Sequence, residues 1–334
     1  MHLGKYPKYR YRNSIERIRK MGNFKWVYLA HLGYNMWGDP VVYPDTGVHG
    51  IIRSIKETMA SPTLLFEYDA WIKITDKLKN AGADTILLDI GEGMKYESHP
   101  ELAVEGSWAK EKLADELDRL RSMGFEVLPK LNFSACHDMW LGEWARMLST
   151  KGYYQTVNDV VDEVAEVFGG PKLFHIGMDE ETAEHQRGLT YCVVRQGEQW
   201  WYDFGVICKA VERKGCRPWI WSDYVWDHQD EFFANMPLEV VQSNWYYGMD
   251  FIGDNSRCRF YDKFAQIGYD QIPTGSNWSH HDNLTKTAEY VKKLPQDHML
   301  GIMQTPWFPS TEFRMQSHED AIKALAEAKM AYNV

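Results

Sequence analysis

The sequence predicts a single-domain (β/α)8 barrel, and three observations carry that prediction. The chain has 334 residues, a length that one such barrel can occupy alone. Eight short apolar runs follow one another, each succeeded by a stretch with helical spacing. Parallel strands need helical crossovers, and strands covered on both faces read as continuous apolar runs rather than alternating ones. Finally, the fourth run ends in a cluster of acids, which is where such a barrel keeps its chemistry. A doubly wound open sheet is the competing architecture, but neither GxGxxG nor GxxxxGK[ST] occurs in the sequence, so its phosphate-binding signatures are missing.

The elements follow in order. Residues 1–24 form a basic segment holding Lys5, Lys8, Arg10, Arg12, Arg17, Arg19 and Lys20, interleaved with Tyr6, Tyr9 and Tyr11; it reads as a solvated entry to a barrel over 25–334. The first apolar run is Trp26–Leu32, followed by a Gly-, Pro- and Asp-rich loop to about residue 62. Residues 67–81 have Trp71, Ile74 and Leu78 on one helical face. The second run, Thr85–Ile90, precedes a helix over 107–123 that stops at Gly124. The third, Phe125–Leu131, precedes a helix over 153–168. Leu173–Gly177 is the fourth, with a helix over 197–214. Pro218–Trp221 is the fifth, with a short helix over 228–235. Val240–Trp245 is the sixth, with a helix over 258–267. A weak seventh, Gln271–Gly275, leads to residues 283–294. Met299–Thr305 is the eighth, and an Ala-rich helix over 317–331 closes the chain.

The fourth run is the most informative. Residues 172–181 read Lys-Leu-Phe-His-Ile-Gly-Met-Asp-Glu-Glu, so a strand passes directly into Asp179, Glu180 and Glu181. Strand interiors avoid acids, and adjacent carboxylates repel. The other strand ends add polar and aromatic groups to the same mouth: His31, Asn35 and Trp37; Asp89 and Glu92; Asn132, His137 and Asp138; Asp223 and Trp226; Trp245, Tyr246 and Tyr247; Asn277, Trp278, His280 and His281; Gln304, Trp307 and Glu312. Aromatics make up 14% of the chain. Beyond a Trp-rich core, that supply suits a polyol ligand with apolar ring faces, so the expected partner is a carbohydrate.

Composition excludes other classes. A net charge of −10 is wrong for binding nucleic acid, which requires clustered cations. No window of about 18 apolar residues exists to span a membrane. The five cysteines form no CxxC pair, so neither a disulfide framework nor a structural metal site is expected, and no cofactor is called for. Reduced thiols without a leader fit a cytoplasmic protein; an exported protein whose leader has been removed would read the same. Oligomeric state is not legible.

Phe174-His175-Ile176-Gly177-Met178-Asp179-Glu180 resembles the His-x-Gly-Gly-Asp-Glu motif of glycoside hydrolase family 20, the β-N-acetylhexosaminidases. Val127–Asn132 followed by His137 is similar to that family's third strand. Pro218–Asp223, Val240–Trp245 and Leu300–Trp307 resemble the fifth, sixth and eighth. The likeness runs over roughly residues 25–310, with only the fourth-strand motif specific. Met178 stands in place of the motif's second glycine, Lys130 in place of a family acid, and no clear match to the first-strand arginine occurs.

The resemblance implies a retaining, substrate-assisted glycosidase. Glu180 would be the general acid and then base, its pKa raised by burial and by Asp179. Asp179 would orient the substrate's 2-acetamido group. His175 would hold Asp179 or another mouth residue in place. Trp221, Trp245, Trp278 and Trp307 would wall the sugar pocket with His137 and Tyr247, while Asp223 and Glu312 would bind hydroxyls. Glu181 is left a structural role. Two alternatives stay open: a sugar-binding barrel without turnover, and a metal-dependent hydrolase built on His137 and Asp138.

Overall fold

A computed structural model describes residues 24–39, 57–187, 189–251 and 257–333. The basic segment, apart from Phe24, and much of the loop before residue 62 lie outside the described residues. Eight parallel strands form one sheet: β1 Lys25–His31, β2 Thr85–Asp89, β3 Glu126–Lys130, β4 Leu173–His175, β5 Arg217–Trp221, β6 Val241–Ser243, β7 Thr274–Gly275 and β8 Gly301–Gln304. Their order is β6-β5-β4-β3-β2-β1-β8-β7. The sheet comes round on itself where Gln242 bridges Gln271 and Trp245 bridges Thr274. This is the expected (β/α)8 barrel.

The main helices are α1 Tyr68–Ala81, α2 Lys110–Ser122, α3 Lys151–Val167, α4 Glu198–Arg213, α5 Tyr224–Asp227, α6 Gln229–Asn235, α7 Arg259–Ile267, α8 Asn283–Val291 and α9 Met315–Asn333. Each lies within a few residues of its sequence-based range, except that β5 is followed by two short helices rather than one. Ends follow local chemistry: Thr150 accepts the Tyr153 N–H at the start of α3, and Gly82 takes left-handed backbone after α1. Among the described residues no helix is long and apolar enough to cross a membrane.

Period-2 alternation along the strands divides the core in two. Trp26, Tyr28, Ala30, Ile86 and Leu88 face the helices in the large outer cluster. Val27, Leu29, Leu87, Leu128, Leu173, Trp219, Val241 and Met303 fill the barrel interior. Above that apolar plug sits a polar layer. Lys130 is fully buried and ion-paired to Asp89, its register partner across β2 and β3. His31 Nδ1 is 3.6 Å from the same carboxylate. Next to this layer His175 lies against Trp219 and Trp221, with ring centroids 4.8 and 4.4 Å away.

Candidate active site

The acids reach the mouth through a turn that ordinary strand geometry forbids. After β4, Gly177, Met178 and Glu180 all have positive φ, at 71°, 75° and 55°. Alternate strand residues point to opposite sides, and the left-handed turn cancels that alternation, so Asp179 and Glu180 line one pocket. A Cβ on Gly177 would overlap Asn132 Oδ1; only glycine lets the β3 loop come this close. The benefit is positional. Asn132 Oδ1 accepts the Met178 N–H at 3.2 Å, while Asn132 Nδ2 donates to Asp179 Oδ1 at 2.8 Å.

His137 spans the two acids. Its Nε2 is 3.2 Å from Glu180 Oε2 and 3.5 Å from Asp179 Oδ2. Burial opposes charge on this ring, but Asp179 and Glu180 outweigh burial and raise its pKa to about 8. Glu180 moves the other way from the sequence-based expectation. Burial alone would raise it, yet the hydrogen bond and charge of His137, with His185 Nε2 at 3.3 Å from Oε1, hold its pKa below the usual carboxylate range. The expectation counted Asp179 as the dominant neighbour and missed the two imidazoles.

Opposite the acids stand Trp37, Trp245, Tyr247, Trp278 and Trp307, with Met36, around a cavity of about 160 Å³. The wall is internally bonded. Trp307 Nε1 donates to the Tyr247 hydroxyl at 2.9 Å, and Tyr34 donates to the Trp307 carbonyl at 2.7 Å. Trp37 crosses Trp307 edge to face at 5.8 Å. The Tyr34 and Asn35 amides donate to buried Glu92, at 2.7 and 3.1 Å for the nearest carboxylate oxygen, which anchors the loop that carries Trp37.

Of the residues singled out from the sequence, His137, Asp179, Glu180, Trp245, Tyr247, Trp278 and Trp307 line this pocket. Three do not. Asp223 lies beneath it, where one carboxylate oxygen accepts the Glu180 N–H at 2.8 Å and the other accepts Trp245 Nε1 at 3.3 Å. Burial, with Asp179 close by, pushes Asp223 up to about 7. Trp221 is buried between His175 and Trp307. His175 bonds within its own turn: its Nδ1 accepts the Gly177 N–H at 3.0 Å, and Asn132 instead holds Asp179.

Glu312 is paired with Lys73 on the outer surface, away from the pocket. Asp138 is buried with one oxygen unpartnered and is pushed up by burial to about 8. It does not join His137; the side chains whose ligand atoms gather there are Asp179 and Glu180. Met36, His185 and Asn132's grip on Asp179 were not foreseen, and no sequence signal marks Met36 or His185. Trp37 was visible as a strand-end aromatic.

No family model and no curated protein matches the sequence itself. Solved structures do match. The exo-β-N-acetylglucosaminidase of glycoside hydrolase family 20 from Vibrio harveyi, solved with N-acetylglucosamine, superposes with a TM-score of 0.61 at 13% identity, covering 91% of this chain and 54% of that one. The fold is that of the family 20 barrel. The chitobiase of Flavobacterium johnsoniae gives a TM-score of 0.54 at 13% identity over 80% of this chain and 50% of that chain. Dispersin B gives 0.53 at 12% identity, covering 89% and 98%. The chain thus spans about half the length of the first two and nearly all of the third. Across the family 20 likeness, identity stays low enough that the shared property is the architecture.

Proposed function

We propose that the chain is a glycoside hydrolase acting on a terminal β-linked N-acetylhexosamine by a retaining, substrate-assisted mechanism. The observation that carries this is the placement of two adjacent carboxylates in one aromatic-walled pocket, with one imidazole reaching both. Asp179, fixed by Asn132, orients the 2-acetamido group and balances charge as its carbonyl oxygen attacks the anomeric carbon. Glu180 protonates the departing glycosidic oxygen. Its carboxyl is ionised at rest, so the proton comes from the His137 imidazolium, 3.2 Å away, and passes through Glu180 to the leaving group. Glu180 then takes a proton from the water that opens the cyclic intermediate, and the proton returns to His137. The aromatic wall stacks on the sugar's apolar face. The structural neighbours named above support the substrate class.

Glu180→Gln tests the assignment on aryl glycosides. A general acid matters most when the leaving group is poor, and the expected loss is roughly 10²–10⁴-fold there, shrinking for activated nitrophenyl leaving groups. Equal losses across the series would remove Glu180 from the role. One observation favours a second reading: the ligand atoms of His137, Asp179 and Glu180 lie within 4.8 Å of one another, close enough to share a divalent ion. Turnover that survives exhaustive chelation excludes it.

A further inference from the structure

Beside the pocket lies a buried ion network that the chemistry above does not use. Arg195, from the loop before α4, has a side chain only 1% exposed. It grips Glu181 with two parallel bonds: Nε donates to Oε1 at 2.7 Å and Nη2 to Oε2 at 2.6 Å. Its backbone N–H adds a third bond to Oε1 at 2.9 Å. The same guanidinium reaches the β3 loop, donating from Nη2 to the Phe133 carbonyl at 2.7 Å. Its Nη1 donates to Asp203 Oδ2 on α4 at 3.1 Å. Asp203 is held in turn by Ser149, Tyr154 and Gln199 at 2.7, 2.6 and 2.7 Å. Glu181 also accepts the Ala135 N–H at 3.2 Å.

Two segments are therefore joined through one side chain. Glu181 directly follows Glu180, and Phe133 and Ala135 lead into His137. Met178, which stands where the family motif has glycine, touches the same fork, its Sδ 3.8 Å from Nη2. A turn with two non-glycine residues at positive φ costs on the order of 1–2 kcal/mol at each, and such strain persists only where the surroundings over-determine it. A planar, five-donor guanidinium can hold one carboxylate by two parallel bonds while meeting a second carboxylate and a carbonyl; the three-donor ammonium of a lysine has no such fork.

We propose that Arg195, acting through Glu181, is a positioning residue that sets the His137–Glu180 distance on which proton transfer depends. This rests on the glycosidase reading given above. A displacement of about 1 Å is enough to cost a reaction about 10²-fold. His137 is faced by Asp179, Glu180 and Lys130, and the first two lie on the segment that Arg195 holds.

Arg195→Lys tests the proposal, since it keeps the buried positive charge and removes the fork. Because a broken buried ion pair can unfold a protein, Arg195→Met/Glu181→Met/Asp203→Asn, which removes all three charges of the network together, carries the test if Arg195→Lys fails to melt cooperatively. Two measurements are made on the full chain: kcat and KM with a phenyl 2-acetamido glycoside, whose poor leaving group needs the proton, and the NMR titration of the His137 ring, assigned from the His137→Gln spectrum. The expected result is a kcat at least tenfold lower, a KM changed less than threefold, and a His137 midpoint moving from about 8 toward the ordinary 6.5. A lowered melting temperature with kcat and the His137 midpoint both unchanged would overturn it. If the wild-type protein cleaves no glycoside, the glycosidase reading fails by itself, and the titration still decides whether Arg195 sets the geometry of His137.

Discussion

Gly177 and Met178 share the left-handed region of φ for different reasons. Gly177 is there because the Asn132 side chain occupies the space a Cβ needs. Met178 is there despite its side chain, which is buried beside Arg195. Gly177→Ala should therefore destabilise the protein by about 2–4 kcal/mol, from backbone strain plus overlap. It should also push Asn132 off Asp179, so that activity falls further than the loss of folded protein explains. Chemical denaturation together with kcat per folded molecule checks both. At this scale the sequence was legible where a residue type is unusual for its place: acids at a strand end, glycine before them, tryptophans at the mouth. It was silent where chemistry depends on contacts between distant segments. His185 and Arg195 look like ordinary loop residues, and nothing near Glu180 in the chain foretells that His137, 43 residues away, lowers its pKa.

The strands were legible because burial on both faces writes them as unbroken apolar runs. Strand 7 was faint for a physical reason. Pro273 has no N–H to give the ladder, so only Thr274 and Gly275 form regular strand, while the Pro273 carbonyl still accepts the Met303 N–H at 2.9 Å. The breaks also shift in β4, where the apolar run continues to Gly177 but regular strand ends at His175, with Ile176 and Gly177 still hydrogen-bonded to Trp219 and Trp221 of β5, because the chain must leave strand geometry to present its acids. Lys130 is a departure from the family resemblance that the barrel explains. It neutralises Asp89 across two adjacent strands where both side chains are buried. Lys130→Met should cost about 3–5 kcal/mol, since it strands a buried carboxylate. Lys130→Met/Asp89→Leu should recover most of that loss. Urea melts of the two variants measure it, and a double variant no more stable than the single would show that the pair is not the cause.

For the whole molecule, buried titratable groups set the pH range of stability. Burial raises Asp223 and Glu92 to about 7 and Asp138 to about 8, while the two acids raise His137 to about 8 despite its burial. Each binds its proton more tightly folded than unfolded, so each contributes stability below its unfolded pKa and loses it as pH rises toward 7–8. The buried imidazoles of His318, His31 and His175 are shifted downward by desolvation, the first to about 4. Their unfolded forms bind protons more readily, so stability falls as pH drops below about 6.5. From about pH 4.5 to 6.5 the three raised acids and the three lowered histidines carry opposed slopes in equal number, and above about 6.5 only the losses remain. Melting temperatures should therefore change little from about pH 4.5 to 6.5 and fall from about 6.5 to 8.5; a rise continuing through pH 8 would contradict the assignment.

All fourteen tryptophans lie among the described residues, and Trp278, on the pocket rim, is the one that stands exposed, at 55%. The protein consequently carries its own optical probe at its mouth. A small collisional quencher such as acrylamide reaches Trp278 before the buried indoles, and a sugar seated in the pocket shields it. Quenching protection therefore reports occupancy without turnover, which separates a barrel that only holds a glycan from one that cleaves it.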